Sequence, residues 1–100
     1  MDLTRDELKE LRGRAHGLMP VVMIGQSGLS EGVLTAIDEA LEAHELIKIR
    51  MLDNDRSKRA EWSEEILRTS RAQKVLAIGK MISIYRKRKP KKDREHDRVR

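Results

Sequence analysis

Val21-Val22-Met23-Ile24-Gly25-Gln26-Ser27-Gly28-Leu29-Ser30 decides how this chain is read. Its first four residues are apolar and mostly β-branched, and Pro20 and Gly25 bound them, which describes a short strand over Val21–Ile24. Ser30 then offers the side-chain oxygen of a helix N-cap. Val33, Ile37, Ala40, Leu41 and His44 recur at helical spacing and mark the inner face of the helix that follows. A strand that passes into a helix across Gly-x-x-Gly is the start of an α/β unit. Glycines at both ends of the loop allow positive φ and remove Cβ atoms that would hold a ligand off the backbone. The loop also feeds a helix N-terminus, where unpaired N–H groups and the helix dipole favour an anion. A tight turn that needs glycine for geometry alone would carry the same four letters.

Upstream, Thr4-Arg5-Asp6-Glu7 is a capping box, with Leu3 and Leu8 at the two staple positions around it. Leu8, Leu11, Ala15 and Leu18 continue at helical spacing, so a helix is expected over residues 5–16. Gly17 is placed to cap it, and Pro20 forbids its continuation. Arg5, Lys9 and Arg12 form a separate basic stripe, which reads as a solvated face. Downstream, residues 45–52 alternate. Ile47, Ile49 and Met51 point one way and Lys48 and Arg50 the other, as in a half-buried strand. Asp53-Asn54-Asp55 is a turn and helix-start cluster. A third helix is expected over residues 57–69, with Trp62 and Ile66 one turn apart, as are Ser63 and Leu67. Strands are expected at residues 74–78 and 81–85. Gly79-Lys80 between them fits a two-residue hairpin turn with Gly at its first central position. The order α-β-α-β-α-β-β implies a single compact α/β (α+β-like) domain with helices packed on a four-stranded mixed sheet. The first three strands are joined by helical crossovers, and the last pair is antiparallel.

Charge separates a body from a tail. From Arg86 onward there are nine Lys/Arg and three Asp/Glu, and Val99 is the sole apolar residue; the first 85 residues carry thirteen basic and fourteen acidic side chains. The pI of about 9.8 is therefore a property of the end of the chain. A folded domain over residues 1–87 and a basic, disordered tail over 88–100 follow from this division, because the tail cannot bury enough surface to order itself. Arg86, Lys87, Arg88 and Lys89 open a generic handle for a polyanion. The chain has no cysteine, so disulfides and thiolate metal sites are excluded. Met1 to Glu7 lacks the apolar core of a secretory signal, and no apolar run approaches the ~20 residues of a membrane span. A cytoplasmic protein is the expectation.

Other chemistry finds little support. His16, His44 and His96 have no ligand partner at i+3 or i+4, so no metal is expected. Asp38-Glu39 and Glu64-Glu65 read as solvated helical neighbours rather than an acid/base pair. Ser27 has no recognisable base. Trp62 reads as a core or partner anchor. Tyr85 could stack on a base or cap the sheet. Two aromatic residues and no Phe argue against a sheet that stacks bases on aromatic motifs, and the intervening strands argue against a helix-turn-helix.

Ala15-His16-Gly17-Leu18-Met19-Pro20-Val21-Val22, then residues 24–34 and 37–49, resemble the CRM domain, named for chloroplast RNA splicing and ribosome maturation. Asp55-Arg56, Ile78-Gly79-Lys80 and Tyr85-Arg86 extend the match over residues 4–87. A chain of this length with one such domain is similar to the stand-alone bacterial YhbY-like proteins. The resemblance implies a fold akin to the C-terminal domain of translation initiation factor three and a loop analogous to that of KH domains. It also implies association with RNA, namely precursors of the large ribosomal subunit, and no enzymatic activity. The loop residues Gly25, Gln26, Ser27 and Gly28 carry over, with Lys48 and Arg86 at matching positions. Met19 departs from the family, where lysine is common. The expectation is an RNA-binding protein of ribosome assembly, monomeric, without cofactor, membrane or small-molecule partner. The alternative is an adaptor that docks on an assembly factor.

Overall fold

The structure is a computed structural model and describes residues 3–88. Three helices and four strands follow in the order α1 (Arg5–His16), β1 (Pro20–Ile24), α2 (Glu31–His44), β2 (Leu46–Met51), α3 (Arg56–Ser70), β3 (Gln73–Ile78) and β4 (Met81–Tyr85). The sheet order is β1-β2-β4-β3. β1 and β2 are parallel, and β4 runs antiparallel to both β2 and β3. The C-terminal ends of β1, β2 and β3 therefore share one end of the sheet with the Gly79-Lys80 turn, and the Met51 N–H donates to the Lys80 carbonyl there at 2.7 Å. Gly79 adopts φ +57°, the left-handed conformation that its place in the hairpin requires.

Helices cover both faces. Ile24, Ile47, Ile49, Ile82 and Ile84 meet Ile37 and Leu41 of α2 and Trp62 and Ile66 of α3 in the main core. On the other face α1 packs Leu11 and Ala15 onto Leu46 and Val75, with Leu3, Leu8, Leu18 and Tyr85 at the margin. Leu46 and the Ile47–Met51 series thus supply opposite faces of one strand. Tyr85 lies in an inner strand and packs under α1, so it caps no sheet edge.

The capping box forms as expected. The Glu7 N–H donates to the Thr4 hydroxyl at 3.1 Å, and the Thr4 N–H donates to Glu7 Oε1 at 2.8 Å. Several ends differ from the periodicity. Gly17 closes α1 at φ −92°, so its left-handed freedom is unused; its N–H instead donates to the Arg14 carbonyl at 3.2 Å. His44 is exposed rather than on the inner face of α2. Glu45 starts no strand. It caps α2 at φ +65°, a costly conformation for a residue with a Cβ. It is held there by its own N–H on the Leu41 carbonyl (2.9 Å) and by the Arg86 N–H on its carbonyl (2.9 Å). Asp55 caps α3 through the N–H groups of Ser57 and Lys58. The helix runs to Ser70, whose hydroxyl donates to the Ile66 carbonyl at 2.6 Å and accepts from Ala72.

Candidate nucleic-acid interface

The Gly25–Gly28 loop is a β-turn at the C-terminal end of β1. The Gly28 N–H donates to the Gly25 carbonyl at 3.0 Å, and the Ser30 N–H donates to the Gly28 carbonyl at 3.0 Å. Only one of the two glycines uses positive φ. Gly28 sits at φ +69°, and a Cβ there would lie 3.7 Å from the Trp62 ring. Gly25 has ordinary φ, and a Cβ there would meet nothing within 4 Å. Gly28 thus closes the turn against α3, whereas Gly25 leaves the backbone open to the outside.

The turn leaves donors free. The N–H groups of Gln26, Ser27 and Leu29 have no hydrogen-bond partner among the described residues. Ser30 caps α2 by accepting from the Val33 N–H at 3.2 Å. Glu31 and Gly32 follow as the first helical positions, whose N–H groups no helix can satisfy internally. Five backbone donors therefore gather at one helix start, where the dipole also favours an anion. The Glu31 carboxylate already complements that dipole in part.

Trp62 is the supporting residue that sequence spacing did not assign to the loop. It is the sole tryptophan, it is buried in α3, and it forms the floor under Gly28. The sequence marks it as a core or partner anchor; it is core, and the core it fills runs up to the loop. The flank of the loop on this side is acidic: Glu61, Glu64 and Glu65 line the surface around Leu29 and Trp62, with Arg68 paired to Glu65.

The cations expected at the site separate into two places. Lys48 lies mid-strand on β2, paired with Pro20, on the same sheet face as its neighbour Arg50. Arg86, Lys87 and Arg88 follow the C-terminal end of β4, which is the opposite end of the sheet from the loop. A six-residue strand such as β2 spans about 20 Å, so Arg86 supplies no charge at the loop. Its guanidinium is moreover engaged. Nη1 donates to Asp38 Oδ1 at 2.9 Å and to the Ser70 carbonyl at 2.8 Å, and Nη2 donates to Glu42 Oε2 at 3.1 Å. The Arg88 N–H donates to Glu45 Oε2 at 2.8 Å, which ties that residue to the folded body. Lys87 is exposed. Lys89 and the rest of the tail lie outside the described residues. Arg50 and Lys80, which neither spacing nor resemblance assigns to the site, stand with Met23 and the hairpin turn at the loop's own end of the sheet.

Among the described residues no group of three or more His, Asp or Glu is arranged to hold a metal ion. No helix among them is long and apolar enough to cross a membrane.

The CRS1/YhbY (CRM) domain model matches residues 3–86, which is the whole of the described body bar two residues. The chain belongs to the CRS1/YhbY (CRM) domain family. A relative in Haemophilus influenzae, named "RNA-binding protein", is 42% identical over 84 residues, covering 84% of this chain and 85% of that one. A Pseudomonas aeruginosa relative named "Probable RNA-binding protein" is 39% identical over 94 residues, covering 93% and 90% of the two chains. The solution structure of a Staphylococcus aureus protein has the same fold, with a TM-score of 0.76 and 37% identity over 92% of this chain and 96% of that one. The α-β-α-β-α-β-β order and mixed sheet read from the sequence are thus those of the CRM fold.

Proposed function

We propose that this chain binds RNA through the Gly25–Gly28 loop and acts on large-subunit ribosomal RNA or its precursor particle during ribosome assembly, in the cytoplasm and as a monomer. The single observation that carries the reading is the loop's set of free backbone donors, on an open turn at the start of α2. The names of the relatives support RNA as the ligand class. The loop has no charged side chain of its own, so it orients a phosphate by hydrogen bonds. Lys48 and Arg50 supply attraction from the sheet. Lys87 and Arg88, at the far end of the sheet, and the basic residues from Lys89 onward supply sequence-independent attraction. Arg86 acts as a brace within the fold.

The test replaces Gly25 by Asp. The position has ordinary φ and open space, so the fold tolerates the change while a carboxylate enters the phosphate path. Binding to a fragment of large-subunit ribosomal RNA should fall at least tenfold with an unchanged melting temperature. Gly28→Asp is the less clean variant. At φ +69° it carries a conformational cost of about 1 kcal/mol, so it lowers melting as well as binding. Unchanged RNA affinity in Gly25→Asp removes the loop from the mechanism.

A further inference from the structure

α1 crosses only one end of its sheet face. It covers Leu46, Val75 and Tyr85 at the start of the parallel strands and leaves the other end, beside the Gly25–Gly28 loop, without a helix. The strand register identifies what is left open. Met23 pairs with Arg50, Arg50 with Met81, and Met81 with Ile78, so these four side chains form one row across all four strands on the α1 face. Met23 is 60% exposed and Ile78 56% exposed; Arg50 is exposed and Met81 half-buried. Val21, the extra residue at a β-bulge of the same edge strand, and Met19 before that strand are exposed as well, at 51% and 79%. Exposed apolar side chains gathered in this way mark a contact surface rather than scatter.

We infer that this open half of the sheet receives unpaired RNA bases, with Met23, Met81 and Ile78 against the base faces and Arg50 and Lys48 on the adjoining backbone; the inference rests on the RNA reading of the loop. Three observations favour RNA over a protein as the occupant. The row begins at Met23, two residues before Gly25, so a strand held at the loop continues onto it without a gap. The strand residues of this half carry Lys48 and Arg50 and no carboxylate, and Lys80 stands at its hairpin edge. Acidic residues of the flanking segments are otherwise placed. Asp53 and Asp55 hold the start of α3, and Asp6, Glu7 and Glu10 of α1 lie with Glu45 and Tyr85 at the opposite end. The chemistry suits bases without aromatic stacking. A thioether is polarisable and packs on a π-face, and an unbranched methionine adapts to any base. Such a platform is tolerant of sequence.

The experiment compares two probes, a short oligouridine and a ribose-phosphate strand of equal length lacking bases. Met23→Ser and Ile78→Ser remove apolar surface without adding charge, and both sites are exposed, so melting should not change. Each should weaken oligouridine binding about fivefold, equivalent to ~1 kcal/mol, and leave binding of the abasic strand unaltered. Arg50→Gln should weaken both probes. Gly25→Asp should also weaken both, because it acts on phosphate. If Met23→Ser and Ile78→Ser bind oligouridine as wild type does while Gly25→Asp does not, the platform is refuted and the loop stands. If wild type binds neither probe and no ribosomal RNA, the underlying RNA reading fails instead. Loss of a protein partner in Met23→Ser with oligouridine binding intact assigns the surface to that protein and overturns the inference.

Discussion

Replacing Arg86 separates a structural from an RNA-binding role for the residue that joins the body to the basic end of the chain. Its guanidinium reaches three elements at once: Asp38 and Glu42 on α2, the Ser70 carbonyl at the end of α3, and through its own backbone the end of β4. The side chain is 20% exposed, whereas Asp38 is 61% and Glu42 33% exposed, so solvent screens the two ion pairs. The bond to the Ser70 carbonyl, beside a buried Ser70, is screened less. A hydrogen bond to a charged donor contributes about 1.5–3 kcal/mol, and the screened pairs add at most about 1 kcal/mol. Arg86→Ala should therefore cost about 2–3 kcal/mol, which for a domain of this size lowers melting by roughly 8–20 °C. In urea, with a slope of about 1–1.5 kcal/mol/M, the midpoint should fall by roughly 1.5–3 M. Arg86→Lys keeps the charge but lacks the fork, so it should recover less than half of that stability. RNA affinity, measured well below the midpoint, should change less than threefold in either variant. An Arg86→Ala protein with wild-type urea midpoint and strongly reduced RNA affinity would refute the bracing argument and return Arg86 to the interface.

Three further outcomes are expected. Trp62 lies against Gly28, so its fluorescence should shift on addition of ribosomal RNA, and Gly25→Asp should abolish the shift at matched concentrations. Burial, then the charges of Glu45 and Glu7, push the Tyr85 hydroxyl above its ordinary range; the stability this group contributes is complete below about pH 10 and declines as pH rises through the folded value. The difference in urea midpoint between wild type and Tyr85→Phe should accordingly stay constant to about pH 10 and then move in favour of Tyr85→Phe. Truncation after Arg88, chosen because Arg88 is tied to Glu45, should leave melting unchanged and flatten the salt dependence of RNA binding, by about 0.7 in the log–log slope for each phosphate the tail no longer neutralises.

The elements were legible where side-chain pattern and backbone chemistry agree. Thr4 with Glu7, Ser30 before Val33, and Gly79-Lys80 each name a local geometry, and each geometry is present. The ends that deviate are set by tertiary contacts. Glu45 adopts positive φ because β4 returns beside it and Arg86 and Arg88 seize its carbonyl and carboxylate, partners more than forty residues away. α3 carries Trp62, Ile66 and Ser70 as its buried positions, a stripe too thin to mark its last turn. Strand order was beyond the pattern, although the strand directions read from the sequence already put Arg86 and the loop at opposite ends of the sheet. A resemblance that matches residues one by one cannot reveal that two of them stand at opposite ends of a sheet. The same order, with β4 inserted between β2 and β3, assembles the Met23–Arg50–Met81–Ile78 row from four separate segments.

On the proposed RNA-binding reading, the neutral loop and the charged surfaces around it divide the work in a way that follows from their chemistry. Backbone donors on a turn closed by Gly28 and floored by Trp62 are fixed in direction, so they reward one phosphate position and contribute little at a distance. Lysine and arginine side chains on flexible stems act over roughly a Debye length, about 8 Å at physiological salt, and reward proximity rather than geometry. The acidic patch of Glu61, Glu64 and Glu65 lies on the α3 flank of the loop, whereas Lys48 and Arg50 lie on the α1 face of the sheet, toward the half that α1 leaves uncovered. A polyanion reaching the free amides of Gln26 and Ser27 is repelled along one side and drawn along the other. On that reading the direction of approach is set by the sheet and α3, before any contact with the loop is made.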